Sequence, residues 1–338
     1  MRALNLLNPA CSRITGTLAI AGLCLGCGST ALDAGSTQPH GKLPVDERNP
    51  IILNNDGAYD NWQGEYAMLL ANGGGPPLAG IIVNSSGAWP MLDTNVAGWR
   101  DLVSAARGSG LQGIPDPLAS IGAPLQRPAS GVISDTTPNR SEGALFILDA
   151  AARLSLPYRP LVIVTGGRLT DVADAYLVDP TVAARIVVVS SLGTTTTTGG
   201  AMGQPNGEMD PWADAIVASR LRFVQVSAYY DQLADVPDSR LSQLPANPFG
   251  AWISAKQPKL INLAQGSDQV AVVAVGLGSF TLAIESVSAT SNVSANATQG
   301  PDLNADPRGS AWLVTQSAGA LAAARFWELL LDPRTFSH

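Results

Sequence analysis

Past residue 49 the chain alternates short, wholly apolar runs with longer segments whose apolar positions recur every three or four residues. The short runs are Pro50–Leu53, Leu78–Val83, Leu161–Val164, Arg185–Val189 and Arg222–Val226. They are rich in β-branched residues and too short for typical helices, so they predict strands with both faces covered. Between them Trp62–Ala71, Asn95–Arg107, Glu142–Leu154, Leu169–Leu177 and Asp210–Ser219 read as helices, and Ser317–Leu331 closes the chain as another. Strands alternating with helices predict an α/β fold: an open, mostly parallel sheet flanked by helices, with a Rossmann-like core. Asp268–Gly276 is ambiguous, although its valine content favours a strand.

In such sheets ligands bind beyond the carboxyl ends of the strands, so the residues that follow each apolar run carry the functional weight. Here they are polar. The first strand runs into Asn54-Asn-Asp-Gly-Ala-Tyr-Asp-Asn61, the second into Asn84-Ser-Ser-Gly87 and the third into Thr165-Gly-Gly167. A loop with acids and amides at several positions, opening onto a helix, can turn several oxygens toward one hard cation, calcium above all. The same residues also suit a turn in which Asp60 or Asn61 caps the helix near Trp62.

Hydrophobic residues are 46% of the 338 and charged residues 14%, which excludes a disordered, solvating chain. Twenty basic residues against 27 acidic ones give a formal net charge of −7, with no basic cluster. A nucleic-acid polymer therefore has no electrostatic footprint to bind, and a small neutral or cationic ligand fits better. All three cysteines, Cys11, Cys24 and Cys27, precede residue 28, so the main domain has neither a disulfide nor a thiolate metal site. The apolar run Leu18–Cys27 follows Arg2 and Arg13 and is too short to span a bilayer, as in a signal peptide. Without residues 1–26, and hence without those two arginines, the net charge becomes −9.

Cys24-Leu-Gly-Cys27-Gly-Ser resembles a bacterial lipobox, in which the cysteine after small residues is acylated. The organisation expected is a signal peptide over 1–26, a lipidated tether over 27–48 attached at Cys27, and one domain over 49–338. That places the protein outside the cytoplasm on a membrane; an ordinary secretory signal is the alternative.

The opening Ile51–Asn61 stretch resembles the strand and DTDPGIDD-type loop of inosine-uridine nucleoside hydrolases. Leu161–Asp171 is similar to their TGPLTN segment, Val178-Asp-Pro180 with Arg185–Val189 to their next helix end and strand, Glu208–Ala215 to EFNIYADPEA, and Ser267-Asp268-Gln-Val-Ala to HDPLA. Order and spacing agree over roughly residues 49–331. The resemblance implies calcium-dependent hydrolysis of an N-glycosidic bond in a ribonucleoside or related N-riboside. It implies calcium held by Asp56, Asn61, the Thr165 carbonyl and Asp268, with Asp56 as the base that deprotonates the attacking water. It assigns the sugar to Asp60, Asn84, Glu208 and Asp210.

Three positions depart from the family pattern. Asn61 stands for an acid and removes one negative charge from the calcium set. Asp210 stands for an amide, a position that also suits an acid in a helix's first turn before Pro211. Ser267 stands where many members carry the histidine that protonates the leaving base. A catalytically inactive nucleoside- or sugar-binding lipoprotein on the same scaffold, and a related hydrolase of another glycoside, therefore stay open, as does homo-oligomer assembly. Trp62, Trp89 and Trp212 flank the site loops, where they suit either the core or stacking on a base.

Overall fold

The computed structural model describes residues 43, 45–58, 62–87, 89–120, 123–191, 210–226, 242–260, 280–290 and 300–337. Nine strands form one sheet: β1 (Ile51–Asn55), β2 (Leu78–Val83), β3 (Pro117–Ala119), β4 (Leu161–Thr165), β5 (Ile186–Ser191), β6 (Arg222–Val226), β7 (Thr281–Ala289), β8 (Leu303–Ala305) and β9 (Ala311–Ser317). Their order is β3-β2-β1-β4-β5-β6-β9-β7-β8. From β3 through β9 every pairing is parallel, and β7 is antiparallel to both β9 and β8. The expected open, mostly parallel sheet is present.

Side chains along a strand alternate between faces, and the core divides accordingly. Ile51 and Leu53 of β1, Val162 and Val164 of β4 and Val187 and Val189 of β5 face one layer. That layer is α1 (Gln63–Asn72), α2 (Leu92–Gly108), α6 (Pro248–Leu260) and α7 (Gly319–Leu331). Ile52, Ile163, Ile186 and Val188 face the other, built from α3 (Glu142–Leu154), α4 (Thr170–Val178) and α5 (Pro211–Arg220). A strand with helices on both sides must be apolar at every position, which is why these runs lack the alternation of a half-exposed strand.

The helices begin and end within about three residues of the sequence expectation, with one change of type: Ser317 ends β9, and the last helix opens at Gly319. Strands β3, β7, β8 and β9 and helix α6 are additional. The ambiguous stretch Asp268–Gly276, the residue Cys27 and the tether as far as residue 42 lie outside the described residues, while Leu43 and Val45 near the tether's end are buried against the core. Among the described residues no helix is long and apolar enough to cross a membrane.

Candidate active site

The chain runs from β1 outward to β2 and β3, then returns to place β4 on the other flank of β1. The sheet's winding reverses there, and the diverging connections leave a crevice beyond the carboxyl ends of β1 and β4. The register sets Asn54 opposite Thr165, so Asp56, two residues on, stands at the mouth of this crevice.

Asp56 is 4% exposed, and its backbone is pinned on both sides. Its N–H donates to Asn55 Oδ1 at 2.9 Å, and its carbonyl accepts from Trp99 Nε1 of α2 at 2.9 Å. Asn55 Nδ2 donates in turn to Gln63 Oε1 at 2.9 Å, tying the end of β1 to the first turn of α1. Each bond satisfies a buried polar group where the strand ladder stops, and together they fix the direction in which the loop leaves.

Asn84 follows β2 and is equally held. Its N–H donates to the Asn55 carbonyl at 2.8 Å, and its carbonyl accepts from Asn95 Nδ2 of α2 at 3.0 Å. Its Nδ2 donates to Asn54 Oδ1 at 2.7 Å and to the Arg168 carbonyl at 3.3 Å. The second contact fixes the orientation of the amide, because a flip would set oxygen against oxygen. Two buried atoms then lack a partner, the acceptor Asn84 Oδ1 and the donor Asn54 Nδ2. Such groups cost about 1–3 kcal/mol each unless water or a ligand fills them, a cost that binding sites tolerate.

The end of β4 closes on these amides because it carries glycine. A β-carbon on Gly166 would lie 2.6 Å from Asn55 Oδ1, and one on Gly167 would overlap Asn84 Oδ1. Gly57 serves a similar approach, since a β-carbon there would come 2.5 Å from the indole of Trp89. Of the three tryptophans, Trp62 and Trp212 are 1% and 3% exposed. Trp62 packs edge-on against Phe326, and Trp212 Nε1 donates to Thr136 Oγ1, so both serve the core. Trp89 is half-buried beside the Asp56 loop and is the one placed to meet a ligand.

Asp210 is the N-cap of α5, in line with the alternative its place before Pro211 also suited, with Oδ1 accepting from the Ala213 N–H at 3.0 Å and Oδ2 from the Leu125 N–H and Thr170 Oγ1 at 2.9 and 2.7 Å. Burial raises its pKa, and these donors pull it back. Its carboxylate is consumed in holding α5 to α4 and the loop after β3, which leaves little for a sugar.

Of the expected calcium ligands, Asp56 and Thr165 are described: Thr165 ends β4 opposite Asn54, and Asp56 follows the end of β1 directly. A carboxylate and a backbone carbonyl are both hard oxygen donors of the kind calcium takes. Asp60, Asn61, Glu208, Ser267 and Asp268 lie outside the described residues. Among the described residues no group of three or more His, Cys, Asp or Glu side chains converges on a point.

Sequence reasoning missed several buried charged residues, Glu65 of α1 and four others among them. Asp171 accepts from Ser141 Oγ at 2.8 Å and from Ser120 Oγ, and Asp174 accepts from the Arg140 and Ser141 N–H groups at 3.0 and 2.7 Å. These two anchor the entry to α3. Asp214 of α5 is fully buried, and neither of its oxygens has a hydrogen-bond partner. The fourth is Arg168, 8% exposed. Their signal was slight, since a single acid inside a helical pattern reads as an exposed position.

No family model matches the sequence, and no curated protein does. The structure is similar to solved ones. A plant nucleoside hydrolase superposes with a TM-score of 0.60 at 15% identity, covering 85% of this chain and 100% of its own. An inosine-guanosine nucleoside hydrolase gives 0.61 at 15%, covering 83% and 98%. The inosine-uridine preferring nucleoside hydrolase of Bacillus anthracis gives 0.56 at 15%, covering 85% and 99%. At such identity the likeness is one of fold, and the chain has the fold of the nucleoside hydrolases.

Proposed function

We propose that the protein hydrolyses the N-glycosidic bond of ribonucleosides or related N-ribosides with calcium as cofactor. The observation that carries this reading is a buried aspartate, Asp56, held at the winding reversal of a sheet shared with nucleoside hydrolases, between Asn84 and Thr165. Asp56, Asn61, the Thr165 carbonyl and Asp268 would hold the ion, which lowers the pKa of a nearby water. Asp56 takes a proton from the water that attacks the anomeric carbon. The new C–O bond forms as the C1′–N bond breaks, and its electron pair leaves with the base. With Ser267 in place of a histidine, the base departs as its anion and takes a proton from solvent. Asp60, Asn84 and Glu208 hold the ribose; such bonds strengthen as oxocarbenium character develops.

Incubation with inosine and uridine is expected to release free base, with chelation abolishing release and added calcium restoring it. Binding of a nucleoside by calorimetry without any release of base would replace this reading with that of a binding protein.

The location read from the leader is proposed as well: export and anchoring through acylated Cys27. Intact-mass analysis of the protein made in bacteria is expected to show cleavage before Cys27 and an added diacylglyceryl group. A mature terminus well past Cys27 would contradict it.

A further inference from the structure

Arg168 sits at the carboxyl end of β4, beside the crevice, and is unusual in what it lacks. Burying a guanidinium is costly unless its charge is paired, and buried arginines ordinarily face a carboxylate. Arg168 Nε donates to the Ser85 carbonyl at 2.6 Å and Nη2 to Ser85 Oγ at 2.7 Å. Two of its five N–H groups are thus used, both on uncharged oxygens. Among the described residues it has no ion pair, and Nη1 has no hydrogen bond.

The buried acids nearby do not supply the missing charge. The Asp171 and Asp210 oxygens are filled by hydroxyl and backbone donors, and Arg168 acts on both only as the weakest influence on their ionisation. The guanidinium is instead aimed by Ser85, which follows Asn84 directly, so the residue that orients Arg168 is adjacent to one that bonds to the Asp56 strand. An oriented fork with an unused edge is the arrangement that recognises phosphate or carboxylate.

We propose that Arg168 anchors an oxyanion subsite in the crevice, so that the N-riboside bound there carries a phosphate or a carboxylate. This rests on the N-riboside reading above and narrows its substrate class. It also reverses the preference for a neutral or cationic ligand suggested by overall charge, because the local field at Arg168 outweighs distant acids screened by solvent.

The test uses the full-length protein and three compounds: uridine, uridine 5′-monophosphate for the phosphate source, and orotidine for the carboxylate source. One of the two anionic compounds is expected to exceed uridine in kcat/KM by about 10-fold or more, and Arg168→Gln to lower that ratio by about 10- to 100-fold, the span of a charge-assisted hydrogen bond. Which compound shows the preference identifies the source. Arg168→Lys keeps the charge but loses the fork; it is expected to lower the ratio by roughly 3- to 10-fold and carries the test if the glutamine variant fails to melt cooperatively. No preference for either anion in wild type, or a preference unmoved by both variants, overturns the subsite even if overall rates fall. Calorimetric titration of the same three compounds separates the two claims. Hydrolysis of uridine without anion preference removes the subsite and leaves the function. Absence of hydrolysis removes the function, and the subsite then stands only if an anionic compound binds about 10-fold tighter than uridine and loses that margin in the Arg168 variants.

Discussion

Asp56→Ala is expected to lower the rate of base release from inosine or uridine by at least about 10²–10⁴-fold, the usual contribution of one general base, with a further loss because the same carboxylate is a proposed calcium ligand. Two of the contacts that fix residue 56 use its backbone, whose N–H donates to Asn55 Oδ1 and whose carbonyl accepts from Trp99 Nε1, and a methyl side chain preserves both. The loop is therefore expected to keep its path, and the melting temperature to stay near that of the parent. Initial rates of base release, with thermal melting monitored by circular dichroism, check both halves. A variant that retains more than a tenth of the parent rate would show that another group deprotonates the water. Loss of rate together with collapse of the melting transition would instead make Asp56 a structural residue.

How far the sequence could be read depended on how strongly each segment is constrained by burial. β1, β2, β4, β5 and β6 lie between two helical layers, so nearly every position is apolar, and five or six such residues in a row have few other readings. β7 is different: it pairs antiparallel near the sheet's end, and its burial is partial along most of its length, so Thr281–Ala289 mixes Ser, Thr and Glu with its apolar residues. β3 and β8 have three residues each, fewer than any periodicity needs. α6 carries Gly250 and Pro258 inside its span, two residues that break helical patterns in sequence.

The site divides along similar lines. Asn54, Asp56, Asn84 and Thr165 could be singled out because polar residues directly after buried strands are conspicuous, and the sheet's geometry brings them together. Asp210 stayed open between two roles because an acid before Pro211 fits a sugar clamp and a helix cap equally well in sequence. Only its bonds to Ala213, Leu125 and Thr170 separate the two. Arg168 showed in sequence only as a change of character within the TGPLTN-like segment, since its importance lies in which partners it lacks.

Replacing Asp214 with alanine is expected to stabilise the protein, by a margin that grows with pH. A carboxylate with no partner in a dry interior pays its full desolvation cost when ionised. Burial accordingly pushes the Asp214 carboxyl well above the usual carboxylate range, and the charge of Asp210, one helical turn earlier on α5, pushes it further. In the unfolded chain the same group ionises near pH 3.9. Below that value it is protonated in both states and the folded protein pays no ionisation cost. Above it, the unfolded state releases a proton that the folded state keeps, so stability falls by about 1.4 kcal/mol per pH unit until Asp214 ionises in place. Alanine removes this slope, favours the helix and leaves only a small gap among Ala213, Ala215 and their neighbours. Asp214→Asn also removes the slope but leaves an unpaired amide in the interior, so its gain is expected to be smaller. Denaturant unfolding of the parent and both variants from pH 4 to pH 8 measures the effect: the parent and alanine curves should converge near pH 4 and separate as pH rises. Parallel curves across that range would mean that Asp214 is already ionised in the folded protein and has a partner at that depth.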